Sequence, residues 1–304
     1  MKIRLSFVVP VVNPDSWLAG MISSLKNSIG YRADVELVVI NQSDSSIDDL
    51  LKCLDCPSIE VRPGKIIPAA EARNFGASHA NGEILFFMDD DALLLACPAK
   101  IDALLQEFDQ GVNVCLCQRG ELRDGSFITH WPTSPKAINE RNFPMYAIEW
   151  NLIIRKSIFL QHKGFPLVGA GSRHAALSGE IFILMACLLQ KEKIKLFSDV
   201  SVAHPSLIKK SNAALNLLGY FYGAGYAVGS GMQYFSKLGR LYWFARVVLA
   251  GCFDLVVRSK RYKSTTDSHV KILGLKLLYV RIRGLHDGFS SGSIKDQIWL
   301  SKLV

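Results

Sequence analysis

A chain of 304 residues, 49% hydrophobic and 20% charged, can bury a large core, which excludes a disordered protein and suits one substantial α/β domain with an appendage, or two modest domains. Seven cysteines, odd in number and mostly set in apolar runs, exclude a disulfide framework and read as reduced thiols of a cytoplasmic protein; Cys53 and Cys56 form a CxxC with no second pair and no neighbouring histidine, so zinc is not expected. The net charge of +8 is uneven: residues 205–304 carry 15 Lys/Arg against 4 Asp/Glu, a net +11, and with no nucleic-acid-binding signature beside it this block points to an anionic membrane surface and excludes nucleic acid as the partner.

The first ten residues enter a strand pattern at once and lack both an apolar h-region and a small-residue cleavage site, so no signal peptide is expected. Strands are predicted over 4–12 and 35–40, with an amphipathic helix between them opened by Pro14 and Asp15. Near-continuous apolar strands separated by helices imply a mostly parallel sheet covered on both faces. A weak strand at 58–62 precedes a helix that opens at about Pro68 and stops near Asn81-Gly82. The next strand, Ile84 to Met88, ends abruptly on Asp89, Asp90 and Asp91. Three consecutive carboxylates repel one another, so they read either as a solvated turn or as a place where a divalent cation is held between carboxylates and a phosphorylated ligand. Ligands of open α/β sheets sit beyond the carboxyl ends of the strands, where Asn41, Ser43 and Asp44 would meet the acidic triplet.

A helix near 98–110 and a strand near 112–118 follow, and residues 120–145 read as a long excursion. A strand is expected over 146–155, a glycine-rich loop over 164–179, a helix over 180–190 and a last strand over 194–200, leading to His204-Pro205. The remainder reads as helices over 211–235, 239–258 and 268–284. The apolar run Leu241–Val257 contains Arg246 and Asp254, which makes spanning a bilayer improbable; it reads as a core helix or as an interfacial helix anchored by Trp243 and flanked by Arg258, Lys260, Arg261 and Lys263.

Four landmarks, in order, resemble the family 2 glycosyltransferases, nucleotide-sugar-dependent enzymes of the GT-A fold. They are Phe7-Val8-Val9-Pro10; Val38-Val39-Ile40-Asn41-Gln42-Ser43-Asp44; Glu71-Ala72-Arg73-Asn74-Phe75-Gly76 followed by Gly82 through Asp91; and Ser178-Gly179-Glu180 followed by His204-Pro205. The resemblance covers roughly residues 3–235. It implies a GT-A (Rossmann-like) α/β domain over 1–205, with a central sheet flanked by helices, while the charge of the basic helical region over 206–304 is what points that region to a membrane surface.

The resemblance also implies roles. Asp89 and Asp91 match the Asp-x-Asp motif and, with His204, would hold Mg²⁺ or Mn²⁺, Asp89 also contacting the nucleotide. Pro10, Val12, Asn13, Asn41, Ser43, Arg73 and Asp90 would line the donor pocket, Asn41 standing where relatives commonly carry an aspartate. Arg73 would sit near the diphosphate, the alternative being a buried ion pair. Glu149, Trp150 and Asn151 resemble acceptor-side residues, Trp150 reading equally as a sugar platform or as core. Glu180 would be the base that takes the acceptor's proton, although relatives usually show an acidic pair here and this chain has Ile181 second.

The implied activity is inverting, metal-dependent transfer from a UDP-, dTDP- or GDP-sugar to a saccharide or lipid-linked acceptor in bacterial surface polysaccharide synthesis, at the inner face of the cell membrane. A catalytically degenerate nucleotide-sugar-binding subunit is the alternative. A nucleotidyltransferase is disfavoured because strand one leads into Val11-Val12-Asn13-Pro14 rather than a glycine-rich, basic loop.

Overall fold

The computed structural model describes residues 2–14, 16–134, 136–172, 179–205, 213–262 and 269–290, of which 16, 213–217, 254–262 and 269–274 are described as backbone. Asp15, Ser178 and Lys263, and the side chains of Arg258, Lys260 and Arg261, lie outside the described residues. The chain divides into two compact units, residues 1–165 with 191–208, and 166–190 with 209–304. The glycine-rich loop and the helix that carries Glu180 thus group with the C-terminal helices, where the sequence placed them with residues 1–205.

The first unit is an α/β sheet. Its elements in order are β1 (Leu5–Val11), α1 (Ser16–Ile29), β2 (Val35–Asn41), α2 (Asp48–Leu51), β3 (Ser58–Val61), α3 (Ala69–His79), β4 (Ile84–Phe87), β5 (Leu93–Leu95), α4 (Pro98–Asp109), β6 (Val114–Arg123), β7 (Ser126–Thr129), β8 (Leu152–Arg155), α5 (Lys156–Gln161) and, after the excursion into the second unit, β9 (Ile194–Ala203). The strand order is β3-β2-β1-β4-β8-β6-β9-β5, with β7 paired to β6. Strands β3, β2, β1 and β4 are mutually parallel and β8 runs antiparallel between β4 and β6. The predicted α/β class is therefore present, and the sheet is mixed, with four parallel pairings and four antiparallel ones.

Alternation along β1 explains how both faces are covered. Leu5, Phe7, Val9 and Val11 join Leu18, Met21 and Leu25 of α1 and Ile101, Leu104 and Leu105 of α4 in one core. Val8 points the other way and, with Ile40 of β2, lies so close to Gly76 of α3 that a Cβ there would overlap both. That close approach seats α3 on the sheet and fixes the height of Arg73, one turn earlier.

Three local expectations are corrected. A short strand, β5, follows the acidic triplet; it pairs antiparallel with β9 and is tied to α1 by Ser24 and Ser28, whose hydroxyls accept from Leu94 N (3.0 Å) and donate to Leu94 O (3.0 Å). The excursion at 120–145 opens with a hairpin, β6 turning into β7 at Asp124 and Gly125, both with positive φ (52° and 77°). This is the Asp-Gly pair that a two-residue hairpin turn favours. Residues 146–151 form no strand but include a 3-10 turn, Glu149–Asn151, that delivers the chain to β8.

The second unit holds α6 (Gly179–Leu188), α7 (Ala213–Gly231), α8 (Lys237–Tyr262) and α9 (His269–Ser290). Helices α7 and α9 meet glycine to backbone: a Cβ on Gly225 or Gly229 would overlap the α9 main chain at Arg281 or Leu285, and one on Gly284 or Gly288 would overlap α7 at Tyr222 or Tyr226. The Tyr222-Gly223-Ala224-Gly225 segment is thus part of a tight helix crossing. Asp287, 2% exposed, locks it by accepting hydrogen bonds from Tyr222 Oη and Arg283 Nε, both at 3.1 Å. Trp243 is only 5% exposed and packs edge-on to Phe182. Of the two readings left open by the sequence, core helix or interfacial anchor, Trp243 takes the core one.

Candidate active site

Strand β4 continues its parallel bonding as Met88 N donates to Val8 O, and the chain then turns, Ala92 N donating to Asp89 O. The turn leaves Asp89, Asp90 and Asp91 half-buried at the carboxyl end of the strand. On the other side of the sheet β9 pairs parallel with β6, is displaced by a bulge opposite Cys117 and Gln118, and ends at Ala203, so that His204 N donates to Gly120 O. This brings two distant segments together: His204 Nε2 lies 3.0 Å from Asp91 Oδ1 and 3.7 Å from Asp89 Oδ2.

The donor set suits a hard divalent cation. Asp89, Asp91 and His204 each offer a ligand atom, and these atoms lie within 4.8 Å of one another. The ring's Nδ1 is engaged with the Pro205 carbonyl at 2.8 Å, which orients the imidazole and leaves Nε2 directed at the carboxylates. Two carboxylates, with phosphates completing the shell, suit Mg²⁺ or Mn²⁺, and the imidazole adds a nitrogen donor of the kind that softer divalent ions prefer. Burial disfavours charge on His204, but the hydrogen bond to Asp91 and both carboxylate charges outweigh it and raise the imidazole to about 9.

Around this cluster lies a second ring of charge. Arg73, 4% exposed, donates through Nη2 to Asp89 Oδ1 at 2.5 Å and lies over the Phe165 ring at 5.9 Å. Glu149 is buried at 6% exposure; burial pushes its carboxyl up, against the pull of Arg73, and its Oε1 has no hydrogen-bond partner among the described residues. Trp150 is equally buried and stacks on His204, ring centroids 5.3 Å apart and 20° from parallel. It therefore backs the histidine ring. Asn151 is fully buried and donates to Cys117 O and Tyr146 O while accepting from Ile148 N, the work of a framework residue. Arg119 and His130, which sequence reasoning did not single out, also belong here: Arg119 is a half-buried guanidinium whose charge burial disfavours, and it acts electrostatically on both His130 and Glu149. A lone arginine in a strand gives no local signal.

At the end of β2, Asn41 is 1% exposed and closes its own turn. Its amide donates to Ser45 O (2.8 Å) and Glu60 Oε1 (3.0 Å), and its oxygen accepts from Ser43 N and Oγ. Arg62 clamps the same loop by donating to the Ser43 and Ser45 carbonyls. The neighbouring end of β1 leaves Pro10 half-buried and Val12 and Asn13 exposed.

The glycosyl transferase family 2 profile matches residues 6–176, more than half of the chain. The chain belongs to glycosyl transferase family 2. An uncharacterized glycosyltransferase of Haemophilus influenzae is 26% identical over 167 residues, 54% of this chain and 51% of the relative, so the chain spans about half the length of the curated relative it matches. Among solved structures, residues 1–349 of S. aureus TarS in complex with UDP-GlcNAc superpose with a TM-score of 0.66 at 13% identity, covering 93% of this chain and 82% of that one. A mannosyltransferase of Pyrobaculum calidifontis in complex with GDP-Man and Mn²⁺ gives a TM-score of 0.54 at 14% identity, covering 94% and 88%. These likenesses establish the GT-A fold.

Within this family 2 glycosyltransferase, Glu180 lies in the second unit, in the first turn of α6, 2% exposed. Its carboxylate packs against Gly169, which has φ 95° and whose Cβ, were there one, would collide with it. Ile181 is also buried, at 3% exposure.

Proposed function

We propose that this protein is an inverting, metal-dependent glycosyltransferase that moves a sugar from a nucleotide diphosphate donor to a saccharide or lipid-linked acceptor, serving bacterial surface polysaccharide synthesis at the inner face of the cell membrane. The observation that carries the reading is the convergence of Asp89, Asp91 and His204 at the carboxyl end of the sheet beside the buried Arg73. Asp89, Asp91 and His204 would hold a divalent cation, whose charge would stabilise the departing diphosphate. In this reading Arg73 and Asp89 present a preset pair to the donor, with Asp90, Asn41, Ser43, Pro10, Val12 and Asn13 along the nucleotide. Asn41 holds the loop under the base rather than reading the base through a free amide. Glu149 and Trp150 support Arg73 and His204 from behind.

Glu180 is the group proposed to accept the proton of the attacking hydroxyl, which approaches opposite the leaving diphosphate. Its burial, and a backing glycine that admits no side chain, favour one fixed carboxylate orientation. Related structures hold UDP-GlcNAc and GDP-Man with Mn²⁺, which makes UDP- and GDP-sugars, with dTDP-sugars, the donors to try first. Thermal stabilisation by each sugar nucleotide with Mg²⁺ or Mn²⁺ identifies the donor, because a ligand that binds only the folded state raises its apparent stability. Single-turnover transfer with that donor then decides between an enzyme and a degenerate binding subunit. Donor binding without transfer to any glycan or lipid-linked acceptor would favour the latter.

A further inference from the structure

Helix α8 is apolar on two opposite sides. Trp243, Val247 and Gly251, spaced by four, are buried in the second unit, Gly251 against Leu278 of α9. Leu238, Leu241, Leu249 and Phe253 lie on the other side, separated from the first by three, eleven and fifteen residues, close to whole helical turns, and each is about two-thirds exposed. A helix that packs by one face ordinarily turns a polar face outward, so a second apolar stripe marks an interaction surface. The net charge of the helix and of the region around it selects the partner. Helix α8 contains Lys237, Arg240, Arg246, Arg258, Lys260 and Arg261 against a single acid, Asp254, within a C-terminal region of net +11. A protein surface would have to match a long apolar ridge with dense acidity, whereas an anionic bilayer offers both to any helix lying flat on it. Among the described residues no helix is long and apolar enough to cross a membrane.

We propose that the Leu238, Leu241, Leu249 and Phe253 face of α8 docks into the headgroup and acyl boundary of an anionic phospholipid bilayer, with the helix axis parallel to the surface. The proposal rests on the membrane-facing part of the reading above and replaces Trp243 as the anchor. The experiment uses the full chain without donor or acceptor, so its outcome is separate from that of glycosyl transfer. Flotation is measured with vesicles of pure phosphatidylcholine and with vesicles of equal parts phosphatidylcholine and phosphatidylglycerol, at low and high salt. The wild type is expected to prefer the anionic vesicles and to lose part of its binding in high salt as surface charge is screened. Leu249→Gln and Phe253→Gln, at exposed positions outside the catalytic machinery, are each expected to weaken binding roughly tenfold, the value of one apolar side chain withdrawn from lipid. Phe253→Trp keeps the apolar group and should retain binding, with its emission shifting to the blue on the anionic vesicles. Equal binding to both vesicle types, or wild-type binding by both Gln variants, overturns the proposal. So does a concentration-dependent dimer that ignores vesicles and is broken by the same variants, since the face then covers a second copy of the chain.

Discussion

Asp89→Asn and Asp91→Asn remove one carboxylate charge each from the same turn, yet their costs in stability are expected to differ about threefold. Asp89 is the hydrogen-bonded carboxylate partner of Arg73, whose side chain is 5% exposed, and neutralising it removes that charge from beside a guanidinium in the interior. Breaking one side of a buried pair costs about 3–5 kcal/mol. Asp89 is itself 24% exposed and asparagine keeps an acceptor oxygen, so water and the remaining hydrogen bond bring the expected loss to about 2–3 kcal/mol. Asp91 is 32% exposed, and its recorded partner is His204, at 3.0 Å and itself 20% exposed. That pair belongs with partly solvated ones, about 1 kcal/mol or less. Urea unfolding at neutral pH in the presence of a chelator reads the difference, a shift of about 1 M in midpoint for Asp89→Asn and about a third of that for Asp91→Asn at an ordinary denaturant slope. Calorimetric titration with Mn²⁺ and donor should show metal-dependent binding lost in both. Two outcomes refute the reasoning: Asp91→Asn destabilising as much as Asp89→Asn, or a folded Asp91→Asn protein whose donor binding keeps its full metal dependence.

Glu180→Gln keeps shape and hydrogen bonding but cannot take a proton, so donor affinity should persist while single-turnover transfer falls roughly 10²–10⁴-fold; near-normal turnover would move the base to Glu149. Gly288→Ala places a methyl group against the Tyr226 carbonyl and the Ser230 amide, backbone that cannot swing aside, and should lower stability by about 1–3 kcal/mol in thermal melts. Gly251→Ala meets only the end of the Leu278 side chain, so it should be neutral or, through helix propensity, slightly stabilising. Burial alone would raise the Asp287 carboxyl, but hydrogen bonds from His286, Arg283 and Tyr222 hold it below its ordinary value. A depressed folded-state pKa gives stability that is present above the unfolded value and lost as pH falls through the folded one. Asp287→Asn should therefore unfold more easily at neutral pH and lose less on acidification below about pH 4 than the wild type does.

What the sequence made legible was local or periodic. The parallel half of the sheet, β3-β2-β1-β4, followed from apolar strands alternating with helices, and the triplet at the end of β4 was readable because a buried run stopped on charge. The missed features depend on partners far along the chain. Strand β5 is three leucines whose strand character comes from Ala203, Val202 and Ser201 beside it, and no short window contains both. Arg119 matters through Glu149 and His130, which only the sheet brings near. For Trp243 the sequence left a core helix and an interfacial anchor both open; which face of α8 turns inward is decided by Phe182 and Leu278. Two errors were avoidable: Asp124-Gly125 is a recognised hairpin pair, and the Gly225, Gly229, Gly284 and Gly288 spacings announce a close helix crossing.

The departure at Ile181 has a structural reading that bears on mechanism. Residues Ile181, Ile183, Leu184 and Met185 of α6 are all buried, and Ile183 shares a cluster with Val168, Phe221 and Tyr222. A carboxylate at position 181 would replace a buried apolar side chain, 3% exposed, and burial favours the protonated form of a carboxyl. Glu180 stands one residue earlier, in the first turn of the helix, where the macrodipole favours negative charge and the bare backbone of Gly169 leaves room for its oxygens. The local packing thus gives the acid at 180 a fixed place beside Gly169 and keeps an apolar residue at 181. An acidic pair reduced to one member is consistent with a single working carboxylate, and it concentrates the test of turnover on Glu180.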